Sequence, residues 1–267
     1  MKKNILIALA VLAISSLNAA AWGRLGHATI AEIAERHLTP EAKATIMSYT
    51  GGASLASFSC WMDEVAGIEP FKTELQGWHA SIADENCQSP LYIRKEYRNA
   101  RDGVTAMNYF REYLEDYKAM DDSLVLFSIK CITHIIGDFH CPQHVRYTDC
   151  QNQGYYHVIV DGKSVRYHSF WDSGVIQRGS GLKADGYKEY ADRLDTWNKR
   201  QIKACTKGWA REWFEDGARD IRPTINTVKE GDVLGKEYID SHIGLAEDQI
   251  RKAGYQLAKA LNEIFGK

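Results

Sequence analysis

Residues 134–144 read HIIGDFHCPQH, a stretch that combines a candidate metal site with the end of a helix. His134 and Asp138 stand four residues apart, so on an α-helix their side chains share one face. The neighbouring isoleucines predict that this face is partly buried, where an unpaired carboxylate is costly. Pro142 predicts the end of the helix and a bend that returns His144 towards the same place.

The helix that carries this stretch is predicted over Leu124–Phe139. Asp122 and Ser123 are its N-cap candidates, and isoleucines recur along it at helical spacing. Five other segments show apolar stripes with the same period: His27–Leu38, Val104–Met120, Tyr187–Cys205, Trp209–Asp220 and Lys236–Phe265. These stripes predict core-facing helices rather than sites.

A β-prone segment interrupts the helical pattern between residues 155 and 168. The runs YYHVIV (155–160) and KSVRYH (163–168) flank Asp161-Gly162, which favours a hairpin with a type I′ turn. No internal repeat, low-complexity tract or linker divides the chain. The predicted fold is therefore mainly α, a single helical domain with one small β-hairpin.

Further histidines and aspartates accompany the first pair. His168 and Asp172 repeat the spacing of four residues, Asp63 and His79 follow tryptophans, and His27 lies near the N-terminus. With the first stretch, the candidate ligands are His27, Asp63, His79, His134, Asp138, His144, His168 and Asp172. Imidazole and carboxylate sets of this kind suit Zn²⁺. The alternative is a helical bundle whose histidines are hydrogen-bonded in the core, which requires a separate polar partner for each.

The first 21 residues have the pattern of a signal peptide. Two lysines follow the initial methionine, an apolar run extends from Ile5 to Leu17, and Ala19 and Ala21 give a small-x-small cleavage pattern. Cleavage after Ala21 makes Trp22 the new N-terminus, and the folded domain is then residues 22–267. We expect a secreted or periplasmic protein with no membrane span after cleavage; the alternative is an uncleaved N-terminal anchor.

Composition excludes several classes of protein. The chain has 267 residues, 45% hydrophobic and 25% charged, which is unlike a disordered chain or a polytopic membrane protein. Its formal net charge of −2 lacks the basic excess of a protein that binds nucleic acid over its whole surface. The six cysteines include no CxxC pair, and we expect disulfide bonds in an exported chain, with the connectivity left open.

Taken in chain order, the motifs are Trp22-Gly-x-x-Gly-His27, Trp61-x-Asp63, Trp78-His79, His134-x3-Asp138-x-His-x-Pro142-x-His144 and His168-x2-Trp171-Asp172. Together they resemble the zinc-dependent single-strand nucleases of the S1/P1 type. Zinc-dependent phospholipase C is a more distant relative on the same fold. The match runs from Trp22 to Asp172, and only helical character continues it to the C-terminus.

The resemblance implies three zinc ions. The first would be held by Asp63, His79, His134 and Asp138, and the second by His144, His168 and Asp172. The third would take the α-amino and carbonyl groups of Trp22, with His27 and the bridging Asp138. The signal peptide then gains a chemical meaning, because the Trp22 amine exists as a ligand only after cleavage.

The activity implied is hydrolysis of single-stranded DNA and RNA to 5′-phosphorylated products, with 3′-nucleotidase activity. Single-stranded nucleic acid and 3′-nucleotides are the expected substrates, and a monomer without a stable protein partner is expected. Two alternatives stay open: a zinc-dependent phospholipase C, and a catalytically weak zinc- or ligand-binding protein.

The sequence departs from the family pattern near the expected substrate. Ala66 stands where the family often has an arginine, and Arg166 where an asparagine is usual. Asn152 is a candidate for base binding or for a turn. Asp84 is a candidate for orienting the attacking water or for a solvated loop.

Base stacking is left to Tyr155, Tyr156 or Phe139, any of which could instead be ordinary packing. Four histidines are interpreted as structural rather than ligating: His37, His140, His157 and His242.

Overall fold

The protein is described here from a computed structural model that covers residues 22–90 and 101–267; the expected signal peptide, residues 1–21, lies outside the described residues. The fold is mainly α, as predicted. Its helices are α1 (Arg24–Arg36), α2 (Pro40–Thr50), α3 (Leu55–Phe58), α4 (Trp61–Val65), α5 (Phe71–Leu75), α6 (Gly103–Tyr113), α7 (Asp122–Phe139), α8 (Tyr167–Ser169), α9 (Val175–Ser180), α10 (Tyr187–Leu194), α11 (Lys199–Cys205), α12 (Ala210–Ile221) and α13 (Lys236–Phe265).

Four short strands form two small sheets. β1 (Ser81–Ala83) pairs in parallel with β2 (Val145–Tyr147), and β3 (His157–Val160) pairs antiparallel with β4 (Lys163–Arg166). Short 3-10 turns and one π-helical turn, Phe170–Gly174, complete the structure around the candidate ligands.

The core is formed where the C-terminal helix α13 packs against α1, at the N-terminal end of the described chain, and against α9 and α7. The apolar stripe of α13 is buried as its spacing predicts, from Ile239 through Ile250 to Ile264. Within residues 22–90 and 101–267, no helix is both long and apolar enough to cross a bilayer.

Several helix boundaries differ from the sequence prediction. Helix α7 begins at Asp122 rather than Leu124, and its N-cap is Asp121, whose side chain accepts a hydrogen bond from the backbone of Ser123, rather than Asp122 or Ser123. The segment 187–205 is two helices, because Asn198 caps α11 by accepting hydrogen bonds from the backbone of Arg200 and Gln201. The segment 104–120 leaves the α-helix after Tyr113 and ends in a 3-10 turn, Tyr117–Ala119. The helix α2 was not predicted, although Thr39 and Pro40 form a recognisable N-terminus.

The hairpin forms at the predicted turn. His157 pairs with Arg166 and Val160 with Lys163, and the two turn residues Asp161 and Gly162 have φ of 51° and 73°. Positive φ at both central residues is the requirement of a type I′ turn.

The parallel pair β1–β2 was not predicted. Ser81 pairs with Val145 and Ala83 with Tyr147, which joins two segments that are distant in sequence. Because β1 follows His79 and β2 follows His144, this small sheet brings two candidate ligands to the same place.

All six cysteines are free thiols, so the structure corrects the expectation of disulfide bonds. The surroundings of the thiols differ. Cys131 is buried in α7, Cys141 donates a hydrogen bond to Asp172, and Cys205 donates one to the Ile202 carbonyl within its own helix.

Candidate metal centre

The buried face of α7 carries the first two candidate ligands. His134 Nε2 lies 3.4 Å from Asp138 Oδ2, and both side chains are almost fully buried. The helix ends at Phe139, and Pro142 begins the 3-10 turn that carries His144. The predicted bend therefore returns His144 to the helix, where its Nδ1 lies 3.8 Å from Asp138 Oδ2.

Asp63 and His79 complete a compact group around this pair. His79 Nδ1 lies 3.2 Å from both Asp138 Oδ2 and His134 Nε2, and Asp63 Oδ1 lies 3.6 Å and 3.5 Å from the same two histidine nitrogens. Zinc bonds of 2.0–2.2 Å give a tetrahedron with edges of about 3.3–3.6 Å. Five of its six ligand separations are thus present within about 0.1 Å.

His27 approaches Asp138 from the opposite side. Its Nε2 lies 3.3 Å from Asp138 Oδ1, and its ring stacks on that of His134 with centroids 4.2 Å apart. The two oxygens of Asp138 therefore face different groups of nitrogens. A carboxylate in this position is suited to bridge two cations.

Trp22 is fully buried at the start of α1, and its neighbour Gly23 donates a backbone hydrogen bond to the carbonyl of Asp172. The N-terminal end of the described chain is thereby fixed against the segment that carries Asp172. This contact brings the predicted mature terminus to the candidate metal centre.

A second group lies beside the first. His144 Nε2 and His168 Nε2 are 2.8 Å apart, and Asp172 Oδ1 lies 3.8 Å and 3.5 Å from them. His168 and Asp172 share one face across α8 and the π-helical turn that follows. Cys141, which sequence reasoning did not select as a ligand, places its Sγ 3.7 Å from Asp172 Oδ1. The sequence signal that could have identified Cys141 is its position directly before Pro142, which ends the helix.

Backbone carbonyls orient two of the histidines. His134 Nδ1 donates to the Ser59 carbonyl at 2.8 Å, and His144 Nδ1 donates to the His79 carbonyl. Each bond fixes the tautomer, so the Nε2 lone pair faces the group of candidate ligands. Metal-binding histidines are commonly held in this way.

Several buried polar atoms at the centre have no hydrogen-bond partner within the described part of the chain. They are both ring nitrogens of His27, Nε2 of His79 and one oxygen each of Asp63, Asp138 and Asp172. The 3.3 Å contact of His27 with Asp138 is close enough for an ion pair but lacks hydrogen-bond geometry. Orphaned polar atoms at this density are costly in a protein core. Two of them, His27 Nε2 and Asp138 Oδ1, face each other at 3.3 Å, where a cation would satisfy both. The donor set therefore fits zinc.

Burial lowers the pKa of four of the candidate histidines; at His134 burial acts the same way, but Asp138 and Asp63 outweigh it and raise the pKa. Burial lowers the pKa of His27, His79 and His144 below the usual value, and neighbouring histidines lower His27 and His144 further. Burial, with Arg166 and Arg146 nearby, lowers the pKa of His168 to about 4. These imidazoles are neutral at neutral pH, which is the form that binds metal.

The carboxylates respond in both directions. Burial raises the pKa of Asp138 and Asp172 well above the usual value, because a carboxylate charge is poorly solvated there. For Asp63 burial acts the same way, but His134 and His79 outweigh it and lower the pKa. Bound cations would stabilise the ionised form of all three.

Asp84 and Asn152 each accept hydrogen bonds within a local turn. Asp84 Oδ1 accepts hydrogen bonds from the backbone of Asn86 and Gln88, which organises the turn after β1. Asn152 Oδ1 accepts one from Gly154 N, and Asn152 lines a cavity of about 80 Å³ next to the metal centre. Neither side chain is among those that line the cavity over the ligands.

The remaining histidines have other partners. His140 is buried between Gln249 and Gln256, with hydrogen bonds of 2.7 Å to each. His37 pairs with Asp195, His157 is exposed near Glu230, and His242 stacks on Tyr238. Their separation from the metal centre agrees with their interpretation as structural.

Comparison with known proteins identifies one family over almost all of the chain that follows the expected signal peptide. A family model of S1/P1 nuclease matches residues 22–266. Nuclease PA3 of Penicillium sp is 27% identical over 274 residues, which is 92% of this chain and 98% of the relative. Nuclease S1 of Aspergillus oryzae is 27% identical (97% and 96%), and Endonuclease 2 of Arabidopsis thaliana is 26% identical (92% and 91%). The chain is therefore an endonuclease acting on nucleic acid, and it belongs to the S1/P1 nuclease family.

Proposed function

We propose that this endonuclease is a trinuclear-zinc phosphodiesterase. It hydrolyses single-stranded DNA and RNA to 5′-phosphorylated products and removes phosphate from 3′-nucleotides. The observation that carries the proposal is the near-tetrahedral set of His79, His134, Asp63 and Asp138 atoms, with separations of 3.2–3.6 Å.

The ligands divide among three sites. The first ion would be held by Asp63, His79, His134 and Asp138, and the second by His144, His168 and Asp172. The third would be held by His27, by Asp138, and by the amine and carbonyl of Trp22. The support for this division is that Oδ2 of Asp138 faces His79 and His134, whereas its Oδ1 faces His27.

The chemistry follows from this charge arrangement. Clustered zinc ions supply positive charge for the phosphodiester anion and lower the pKa of water towards about 7. The chain holds the imidazoles of His134 and His144 in the ligating tautomer through the carbonyls of Ser59 and His79. A cavity of about 160 Å³ over His79, His144 and His168 gives the phosphate access. We also propose, from its position five residues after His79 in the sequence, that Asp84 orients the attacking water.

Preference for single strands requires an exposed surface on which an unpaired base stacks. Phe139 is buried against Phe214, and Tyr156 is partly buried with its hydroxyl donating to Gln151. Tyr155 is 64% exposed, and the Arg166 guanidinium covers one face of its ring at 4.8 Å. We therefore assign base stacking to Tyr155 and a polar base contact to Asn152.

Residues 1–21 are proposed to direct export and to be removed, which makes the protein secreted or periplasmic. The mature chain, residues 22–267, is proposed to act as a monomer. The α-helical core within the described residues is closed by α13 on α1, so folding does not call for a partner.

One assay series tests the function. Zinc-loaded protein that starts at Trp22 is given single-stranded DNA, RNA, 3′-AMP and a phosphatidylcholine, with His134→Ala as the inactive control. We expect cleavage of the two polymers to 5′-phosphorylated products, release of phosphate from 3′-AMP and no lipid hydrolysis. Turnover of the lipid alone would establish a phospholipase C, and zinc binding without turnover would establish a binding protein.

A further inference from the structure

Arg146 stands out among the residues around the candidate metal centre. It is the middle residue of β2, where Val145 and Tyr147 point into the core and Arg146 is exposed. It lines the 160 Å³ cavity together with His79, His144 and His168. Among the residues that line this cavity, Arg146 is the one lysine or arginine.

The charge of Arg146 is not balanced within the described part of the chain. Arg222 pairs with Asp149, Arg178 with Asp161, and Arg166 donates to the Gly154 carbonyl. The guanidinium of Arg146 has no such hydrogen bond or ion pair among residues 22–90 and 101–267. It nevertheless acts on the centre, because its charge contributes to lowering the pKa of His168.

A lone cation beside a cation-binding centre is unfavourable by itself. It repels the metal ions that the histidines would hold, and this repulsion is offset when an anion binds between them. Arginine suits a phosphate in that position, because its planar fork donates two parallel hydrogen bonds. The arrangement therefore indicates an anion that contacts both the guanidinium and the metal centre.

The position of Arg146 also indicates which part of the substrate it meets. Arg146 and Gln143 line both the cavity over the ligands and the smaller cavity that contains Asn152. Arg146 thus stands between the place for the phosphate and the place for the adjoining nucleoside. Ala66, on another wall of the larger cavity, offers no charge.

We propose that Arg146 binds a non-bridging oxygen of the scissile phosphate and supplies the arginine contact that is missing at position 66. This inference rests on the proposed function, since it names a substrate contact of the same site. Arg146 holds the phosphate against the metal centre and neutralises part of the charge on the phosphoryl oxygens in the transition state.

The test compares four variants of the zinc-loaded protein. Arg146→Ala removes the contact, Arg146→Lys keeps the charge but loses the fork, and Arg200→Ala is the matched control, because it removes one exposed positive charge on α11. The fourth, Ala66→Arg with Arg146→Ala, restores a cation from another wall. Zinc content, kcat and KM on single-stranded DNA, and binding of inorganic phosphate by calorimetry are measured for each.

We expect Arg146→Ala to retain its zinc while kcat/KM and phosphate affinity fall about tenfold to a hundredfold, the usual range for losing a charge-assisted contact. Arg146→Lys should fall less, Arg200→Ala should be unchanged, and the double variant should regain part of the loss. If the wild type cleaves DNA and Arg146→Ala has the same kcat/KM and the same phosphate affinity, the inference is wrong and the proposed function stands.

The phosphate measurement also distinguishes failure of the proposed function from failure of the Arg146 contact when the wild type is inactive. A wild type without activity on single strands, whose phosphate affinity still falls on Arg146→Ala, would refute the proposed function and keep the anion contact. If phosphate affinity is unaffected in that inactive protein, both are wrong.

Discussion

The Nε2 atoms of His144 and His168 lie 2.8 Å apart and both face the carboxylate of Asp172. Two protonated imidazoles at this separation would repel each other strongly. The pair is therefore arranged for a shared metal ion rather than for storing protons.

Acid should remove zinc from this pair only at low pH. Burial and nearby arginines lower the pKa of His168 to about 4, so protons compete weakly with metal between pH 6.5 and 4. In metal-free protein the stabilising contribution of neutral His168 is complete above about pH 6.5 and is lost as the pH falls towards 4. Elemental analysis after equilibration without chelator should show zinc retained at pH 5. Loss of half the zinc at pH 6 would contradict this.

Removal of the metal by a chelator should abolish activity, and restoring the metal should restore it. Zinc supplies the charge that the phosphodiester requires, so exhaustive chelation at neutral pH should abolish cleavage of single-stranded DNA, and added Zn²⁺ should restore it. The rate before chelation, after chelation and after reloading gives the measurement. Full activity in protein free of zinc is the result that rules out the mechanism.

Asp138→Asn should lower occupancy at two ions. The carboxylate presents one oxygen to His79 and His134 and the other to His27, whereas an amide offers a single oxygen and an NH₂ group that repels cations. We expect elemental analysis to show a loss of more than one zinc per chain. Asp63→Asn is the control and should lose at most one. Equal losses in the two variants would argue against a bridging carboxylate.

An extra alanine before Trp22 should weaken one ion. The added residue converts the proposed amine ligand into an amide, a much poorer donor, and leaves all seven side-chain ligands of the other two ions intact. We expect a folded protein with about one zinc fewer and much lower activity than protein starting at Trp22. Equal zinc content and equal rates of DNA cleavage would show that the third site is built in another way.

Gly137→Ala should disturb the metal centre although alanine is the better helix former. A Cβ at this position would lie 2.7 Å from His27 Nδ1, so the ring would be pushed away from Asp138. We expect reduced zinc content. Gly244→Ala in α13 is the matched control, because no atom of residues 22–90 or 101–267 lies within 4 Å of its added Cβ. That variant should keep its zinc and gain up to about 1 kcal/mol in the free energy of unfolding.

His140→Ala should lower stability without affecting zinc binding, although His140 lies in the same stretch of chain as the candidate ligands. Its ring satisfies Gln249 and Gln256 in the core, so His140→Ala should lower the free energy of unfolding by about 3 kcal/mol through a cavity and unsatisfied amides. Zinc per folded chain should be unchanged, whereas His134→Ala should lose zinc. Chemical denaturation with elemental analysis checks both, and zinc loss in His140→Ala would reassign this histidine.

Local rules were enough to predict part of the site. The pairs His134–Asp138 and His168–Asp172 each lie within one helical turn, where residue spacing determines which side chains share a face. The type I′ turn at Asp161-Gly162 and the length of α13 also depend on nearby residues alone.

The rest depends on contacts between distant segments. His27 reaches Asp138 because α1 crosses α7, and no spacing in the sequence encodes that crossing. The strands β1 and β2 have three residues each, too few for an alternating pattern to be recognised. The contact of Cys141 with Asp172, and the absence of a partner for Arg146 among the described residues, likewise become visible only in the folded structure.

The parallel pairing of β1 with β2 gives the protein an order of assembly. His79 and His144 are 65 residues apart in sequence, and their contact closes a long loop that local helix formation does not require. Helix α7 can present His134 and Asp138 early, whereas the full ligand set exists only after the slow, non-local pairing has formed. We therefore expect tight zinc binding to mark the last stage of folding, and a chain that has not completed this pairing to be an inactive nuclease.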